Sequence, residues 1–307
     1  MEKMDRLNKL FTSSNLSDIL NFYDNFDTRK KLIKWSRNRR HGRVKIFSVG
    51  GKNDIVVVIP TIDHNGENAK QCKVAFKGQR IIFIESGRDP YFNYAHNCNA
   101  GIKYAMKFKP SWIVVSNDDV TPDSMEKLRS ELSGINSKKF KRVVSDGFSV
   151  KEYLYRETVI LSLIRNIGMH LHRKNYGYSK EDFSKFQKKY RALVKKYDLR
   201  YGTIKDSPSR WLLYRRIRPF TLNNHFHIFS TESIRKHGLP FDETFINGFE
   251  DSDLGLFIKP KETAKINFKV VPFKGGSRSL GRGLDRMFRD LINKVYLNES
   301  YETGKYN

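Results

Sequence analysis

Cysteine is nearly missing from this chain, with 2 in 307 residues, Cys72 and Cys98. Two thiols cannot staple a protein of this size, so a disulfide-built scaffold is excluded and a reducing compartment is the natural setting. Long apolar runs are missing too. The longest, IVVVI at 55–59 and VILSLI at 159–164, fall far short of the roughly 20 residues that span a bilayer. The first twenty residues, MEKMDRLNKLFTSSNLSDIL, hold no apolar stretch of signal-peptide length. The expected location is therefore cytoplasmic, or peripheral at the inner membrane surface. Acidic residues are scarce, 33 against 58 Lys and Arg, for a formal charge of +25. Apolar side chains at 38% and aromatic ones at 13% suffice to fill a core, which excludes a disordered tail.

The positive charge is concentrated. Residues 141–220 carry 20 Lys or Arg against 7 Asp or Glu, a net +13. Such a block attracts nucleic acid, an acidic lipid surface or a phosphorylated substrate, and composition alone does not choose among them. Tyr176, Tyr178, Phe183, Phe186, Tyr190 and Tyr197 interleave with the charges, a combination that serves phosphates and base stacking.

No internal repeat is visible. Residues 1–50 read as a basic helical extension, residues 51–300 as an α/β domain interrupted by a basic, mostly helical insertion at about 141–220, and residues 301–307 as a tail. Ile55 to Ile59, Arg80 to Ile84 and Trp112 to Val115 are apolar throughout, as parallel strands covered on both faces are. A helix over 97–108 separates the last two. Within the insertion the spacing predicts helices over 153–172 and 180–197. The α/β pattern resumes with a strand at 226–229, a helix at 231–237, a strand near 267–272 and a helix at 284–297. The first three strands end in polar residues, Thr61-Ile62-Asp63, Glu85-Ser86-Gly87 and Ser116-Asn117-Asp118-Asp119. Ligands of open parallel sheets bind beyond carboxyl strand ends, so these mark one site.

Two acidic clusters stand out in so basic a chain. Asn117-Asp118-Asp119 offers hard oxygen ligands of the kind that suit Mg2+ or Mn2+ bridging to a diphosphate; a solvated turn before a helix explains the same residues without a metal. Glu250-Asp251-Ser252-Asp253 opens a helix, where acids favour the dipole by roughly 0.3–1 kcal/mol each, and a carboxylate poised as general base is the sharper alternative. His225 and His227 alternate along a strand, either facing the cleft or serving as structural histidines. His64 and His96 lie near the same strand ends.

In order along the chain, these motifs resemble those of inverting glycosyltransferases of family 2, over about residues 53–134 and 222–300. Val57-Val58-Ile59-Pro60-Thr61 is similar to the family's opening strand, Glu85 stands where an Asp commonly contacts the nucleoside, and Asn99 and Gly101 fall on its Asn-x-Gly-Ile helix. Asn117-Asp118-Asp119 falls on the Asp-x-Asp element, and residues 238–254 on its Gly-x-x-Phe-Asp-Glu … Glu-Asp-x-Asp-Leu block. The resemblance implies a GT-A fold, Rossmann-like with a mainly parallel central sheet flanked by helices. It also implies a UDP-, GDP- or dTDP-linked sugar as donor and a glycan, lipid carrier or protein hydroxyl as acceptor. Pro60, Thr61, Glu85, Asn99, Asn117 and Asp118 would hold the donor and Asp119 one divalent ion. Asp251 would be the catalytic base with Glu250 beside it, and Asp253 and His227 would lie on the acceptor side. The family's C-terminal metal-binding His is replaced by Phe273-Lys274-Gly275-Gly276. Residues 275–283, with Arg278 and Arg282, have the freedom and charge of a lid over a diphosphate or of an ordinary loop.

Overall fold

The computed structural model describes residues 2–145, 149–157, 179–206, 215–222, 225–273 and 284–306. The chain opens with helices α1 (Glu2–Thr12), α2 (Leu16–Asp24) and α3 (Arg29–Asn38), the second and third capped by Asn15 and Thr28 accepting from backbone N–H groups. Strands β1 (Lys45–Val49) and β2 (Lys52–Thr61) follow, then α4 (Glu67–Ala75), β3 (Gln79–Glu85), α5 (Tyr94–Ala105), β4 (Trp112–Ser116), β5 (Val120–Pro122), α6 (Met125–Ser133) and β6 (Arg142–Ser145). Next come β7 (Val150–Arg156), α7 (Lys180–Lys196), β8 (Tyr201–Lys205), β9 (Arg215–Leu222) and β10 (Phe226–Ser230). The chain closes with α8 (Thr231–His237), α9 (Glu250–Phe257), β11 (Thr263–Ile266), β12 (Val270–Pro272) and α10 (Leu284–Glu302).

The central sheet has seven strands in the order β1-β3-β2-β4-β10-β6-β11. Five run in one direction, while β1 and β10 run against their neighbours. The architecture is mixed α/β, compatible with a Rossmann-like fold. The β2 residues show why the apolar runs read as strands: Val56 and Val58 pack into one apolar layer, Ile55, Val57 and Ile59 into the opposite one. Helix α5 lies so close to the sheet that a Cβ on Gly101 would stand 2.2 Å from Val58 Cγ1 and 2.9 Å from Ile84 Cγ1.

Three expectations change. The 1–50 segment is not helical throughout. Its residues 45–49 form the edge strand β1, paired antiparallel with β3 from Lys45↔Glu85 to Val49↔Ile81. The segment is also packed into the core: Ile19, Phe22 and Tyr23 are fully buried in one apolar cluster with Phe288, Leu291 and Val295 of α10 and Phe183 and Leu193 of α7. The helix expected over 153–172 begins instead as strand β7, in a three-stranded antiparallel sheet ordered β8-β7-β9. Glu152 and Leu154 are buried at a spacing of two, and this alternation outweighs the helical spacing that extends from Leu154 into residues 158–172, which lie outside the described residues. Helix α7 confirms the 180–197 helix. Its Phe183, Tyr190 and the following Tyr197 are buried in the core, so these rings are not available for stacking on bases. Tyr176 and Tyr178 lie outside the described residues. Among the described residues no helix is long and apolar enough to cross a membrane.

Gly101→Ala is expected to destabilise the protein by about 1–3 kcal/mol through overpacking against β2 and β3, read from urea unfolding. An unchanged or raised midpoint, as an exposed helical glycine would give by gaining about 1 kcal/mol of helix propensity, would contradict this packing.

Candidate active site

The site forms where β2, β3 and β4 end. Pro60 is buried in β2 and pairs in register with Ile84, and Thr61 pairs with Glu85. Thr61 Oγ1 donates to Asp118 Oδ2 at 2.8 Å. Burial raises the Asp118 carboxyl, helped by the neighbouring Asp119 charge and opposed by the Thr61 hydrogen bond. Glu85 Oε2 accepts from the His64 backbone N–H at 3.1 Å and meets His64 Nδ1 at 2.6 Å. That ring contact holds the Glu85 carboxyl below its usual range. The Phe47 ring of β1 stacks on His64 with centroids 3.5 Å apart, so the edge strand that sequence reading missed closes this end of the site.

Asn117 is held on both sides. Its Oδ1 accepts from the Tyr94 hydroxyl at 2.9 Å, and its Nδ2 lies 2.8 Å from His225 Nδ1. Asp119 differs, since its Oδ1 is buried with no hydrogen-bond partner among the described residues. A hard divalent ion that keeps several waters and takes one or two carboxylates plus substrate phosphates asks no more of the protein than this. Asp119 therefore fits Mg2+ or Mn2+, with Asp118 turned toward Thr61. Two groups with imidazole and carboxylate donors also lie within ligating reach, Asp63-His64-Glu85 and His41-His96-Glu243, and neither includes Asp119.

The second acidic cluster reaches the first through β10. This strand lies antiparallel beside β4, with Phe226 opposite Ser116 and His227 opposite Val115, so His227 stands next to the strand end where Asn117 begins. Its side chain is fully buried, and Nε2 lies 2.8 Å from Asp251 Oδ1. An ionised carboxylate only accepts, so Nε2 carries the hydrogen. Asp251 is 26% exposed at its side chain, which leaves it open to a ligand. Its charge is also felt by the Tyr94 hydroxyl, itself bonded to Asn117, so both clusters share one neighbourhood. His227 does not face the acceptor side as expected; it positions Asp251 from behind.

Asp253 does not face the cleft either. Two residues along a helix turn a side chain by about 200°, so Asp253 faces away from Asp251. It is 3% exposed and is bonded by Lys305 Nζ and the Tyr306 hydroxyl, each at 2.6 Å, which makes it an anchor for the C-terminal segment. Asn99 is buried too. Its Nδ2 donates to the Phe241 carbonyl at 2.8 Å and to Glu243 Oε1 at 2.9 Å, so it staples the loop before α9 rather than meeting a nucleotide. Arg278 and Arg282 lie outside the described residues.

Two buried charges that sequence reading missed lie near Asp251. Arg142 is 1% exposed; its Nη2 donates to the Thr221 carbonyl at 3.2 Å, while Nε and Nη1 have no partner among the described residues. Burial pushes its guanidinium down to about 10, with Asp251 acting in the opposite sense. Burial raises the Glu152 carboxyl, and the Asp251 charge adds to this against Lys205. Arg142 opens β6 and Glu152 lies within β7, and the pairing of β6 with β10 and of β7 with β9 brings them inward. Glu250 is 6% exposed and accepts from the Gly248 N–H at 2.9 Å. Burial and the adjacent Asp251 push it up to about 7. Protein-family models, curated proteins and solved structures were each compared with the chain, and none matches it.

The Glu250 shift has a definite sign. Between the usual value of 4.5 and about 7 the unfolded chain ionises this carboxyl while the folded chain keeps it protonated. Native stability contributed by this group is therefore full below pH 4.5 and lost as pH rises to 7. Glu250→Gln, which still accepts from Gly248, should remove this loss. Urea unfolding between pH 4.5 and 8 should show a gap in favour of the variant on the order of 3 kcal/mol opening across that window; parallel pH profiles would contradict it.

Proposed function

We propose that this protein is an inverting glycosyltransferase of the GT-A type, moving a sugar from a nucleoside-diphosphate donor to an acceptor hydroxyl. The observation that carries the reading is the β10 register, which sets the His227-Asp251 pair beside the strand end bearing Asn117, Asp118 and Asp119. The order of the family 2 motifs supports the same reading, as does a central sheet in which five strands share one direction. UDP-, GDP- and dTDP-sugars are the donors to consider.

Asp251 acts as base. Its Oδ1 is fixed by His227 Nε2–H, which leaves Oδ2 to take the acceptor proton as the acceptor oxygen attacks the anomeric carbon. The bond from that carbon to the phosphate oxygen breaks with its electron pair, the nucleoside diphosphate leaves, and the configuration inverts in one displacement. Asp119 would hold a divalent ion, which when bound would supply charge neutralisation at the leaving phosphates. Asn117, tied to Tyr94 and His225, is a positioning residue rather than an ion ligand. Glu85 uses Oε2 for His64 and presents Oε1 to the ribose. Burial and the adjacent Asp251 push the neighbouring Glu250 carboxyl up to about 7, so the two adjacent carboxyls are held in different environments.

An anionic acceptor is favoured by the basic face of α7, where Lys185, Lys188, Arg191, Lys195 and Lys196 are exposed. A lipid-linked or membrane-bound acceptor fits that face, and peripheral attachment to an anionic surface goes with it. Binding of nucleic acid by a GT-A domain without turnover is the alternative, and it loses support from the burial of Phe183, Tyr190 and Tyr197.

Donor hydrolysis, with water as acceptor, tests the proposal without knowledge of the natural acceptor. Wild-type protein should release nucleoside diphosphate from one donor class. Asp251→Asn should lower that rate by about 10²–10⁴-fold, with donor affinity changed by less than about threefold, a difference under 1 kcal/mol. Hydrolysis by the variant at the wild-type rate would remove Asp251 as base.

A further inference from the structure

We propose that His41, His96 and Glu243 form a transition-metal site, of the class that takes Zn2+, at the seam where the N-terminal helices meet the central sheet. The site shares no residue with the Asp119 and Asp251 clusters, and its test does not depend on any transferase activity. His41 comes from the segment after α3, His96 from the first turn of α5, and Glu243 from the loop leading to α9.

Glu243 Oε2 lies 2.8 Å from His96 Nδ1 and 3.6 Å from His41 Nε2. The two imidazoles stack with centroids 4.2 Å apart, and all three donor atoms lie within 4.8 Å of one another. Donors bound tetrahedrally at zinc's usual bond lengths stand about 3.3 Å apart, between the two separations found here. Two imidazoles and one carboxylate form a donor set for a transition metal rather than for Mg2+ or Ca2+, with a fourth position left for water.

A simple hydrogen-bonded pair does not account for His41. Among the described residues its Nδ1 is buried without a partner, and its Nε2 stands beyond hydrogen-bond range of Glu243 at 3.6 Å. Glu243, in contrast, is oriented for a ligand role: Asn99 Nδ2 donates to Oε1 at 2.9 Å, a supporting contact of the kind that fixes metal-binding carboxylates. Metal bound here ties the N-terminal segment, α5 and the loop before Asp251 into one unit.

The test uses the full-length protein stripped with chelator. Zn2+ is titrated by calorimetry, and Co2+ is added separately to read its visible d–d absorption. The expected result is one equivalent of Zn2+ bound with a rise in thermal midpoint, and a Co2+ spectrum of four- or five-coordinate type. His41→Ala and Glu243→Gln should each weaken binding at least about tenfold, whereas His64→Ala, in the other imidazole-containing group, should leave it unchanged. The two weakening variants act on half-exposed side chains from different segments, and far-ultraviolet circular dichroism checks that each is folded. Absence of Zn2+ binding at about 100 μM, a Kd limit equivalent to roughly 5 kcal/mol, overturns the proposal. So does binding that survives both His41→Ala and Glu243→Gln.

Discussion

The structure turns on a carboxylate held by a fully buried imidazole. His227 occupies a reversed strand wedged between β4 and β6, which otherwise share one direction, and the register of β10 on β4 sets this side chain beside the end of β4. The arrangement is costly. His227 Nδ1 and two nitrogens of Arg142 are buried without partners among the described residues, and burying an unsatisfied polar atom costs on the order of 1–3 kcal/mol. Glu250 and Glu152 add buried carboxyls. Buried ionisable groups gathered around Asp251 are the pattern of a site kept for chemistry rather than stability.

What offsets that cost lies on the far side of α9. The first helices, the β8-β7-β9 sheet with α7, and the C-terminal α10 contribute to one apolar cluster, so the segments outside the sheet's core hold one another. Asp253 joins this frame to the site, because α9 presents Asp251 to the cleft and Asp253 to Lys305 and Tyr306. A single helix thus carries the reactive carboxylate on one side and a structural ion pair on the other. The N-terminal segment enters the same frame and also delivers β1, whose Phe47 covers His64 and so bears on Glu85.

The strands that build the cleft were legible because β2, β3 and β4 are buried on both faces and therefore read as unbroken apolar runs ending in polar residues. The acidic clusters were legible for the complementary reason, as local negative charge in a basic chain. Edge strand β1 was not, since Lys45, Ser48 and their neighbours are partly exposed and carry no apolar run. Strand β7 was hidden by Leu154 joining a helical spacing with residues further on. The roles of Asn99 and Asp253 were misread because burial and partner choice at those positions depend on residues 142 and 52 places away, which no local pattern encodes. Arg142 and Glu152 escaped for the same reason.

The measurement that bears most directly on this account is a thermal-shift and calorimetric screen of UDP-, GDP- and dTDP-sugars against the purified protein, each with and without Mn2+. A ligand bound by the native state stabilises it by mass action. The account predicts stabilisation by one nucleotide class, strengthened by Mn2+ and with that metal effect lost in Asp119→Ala. Indifference to every donor, together with tight salt-sensitive binding of nucleic acid, would contradict it.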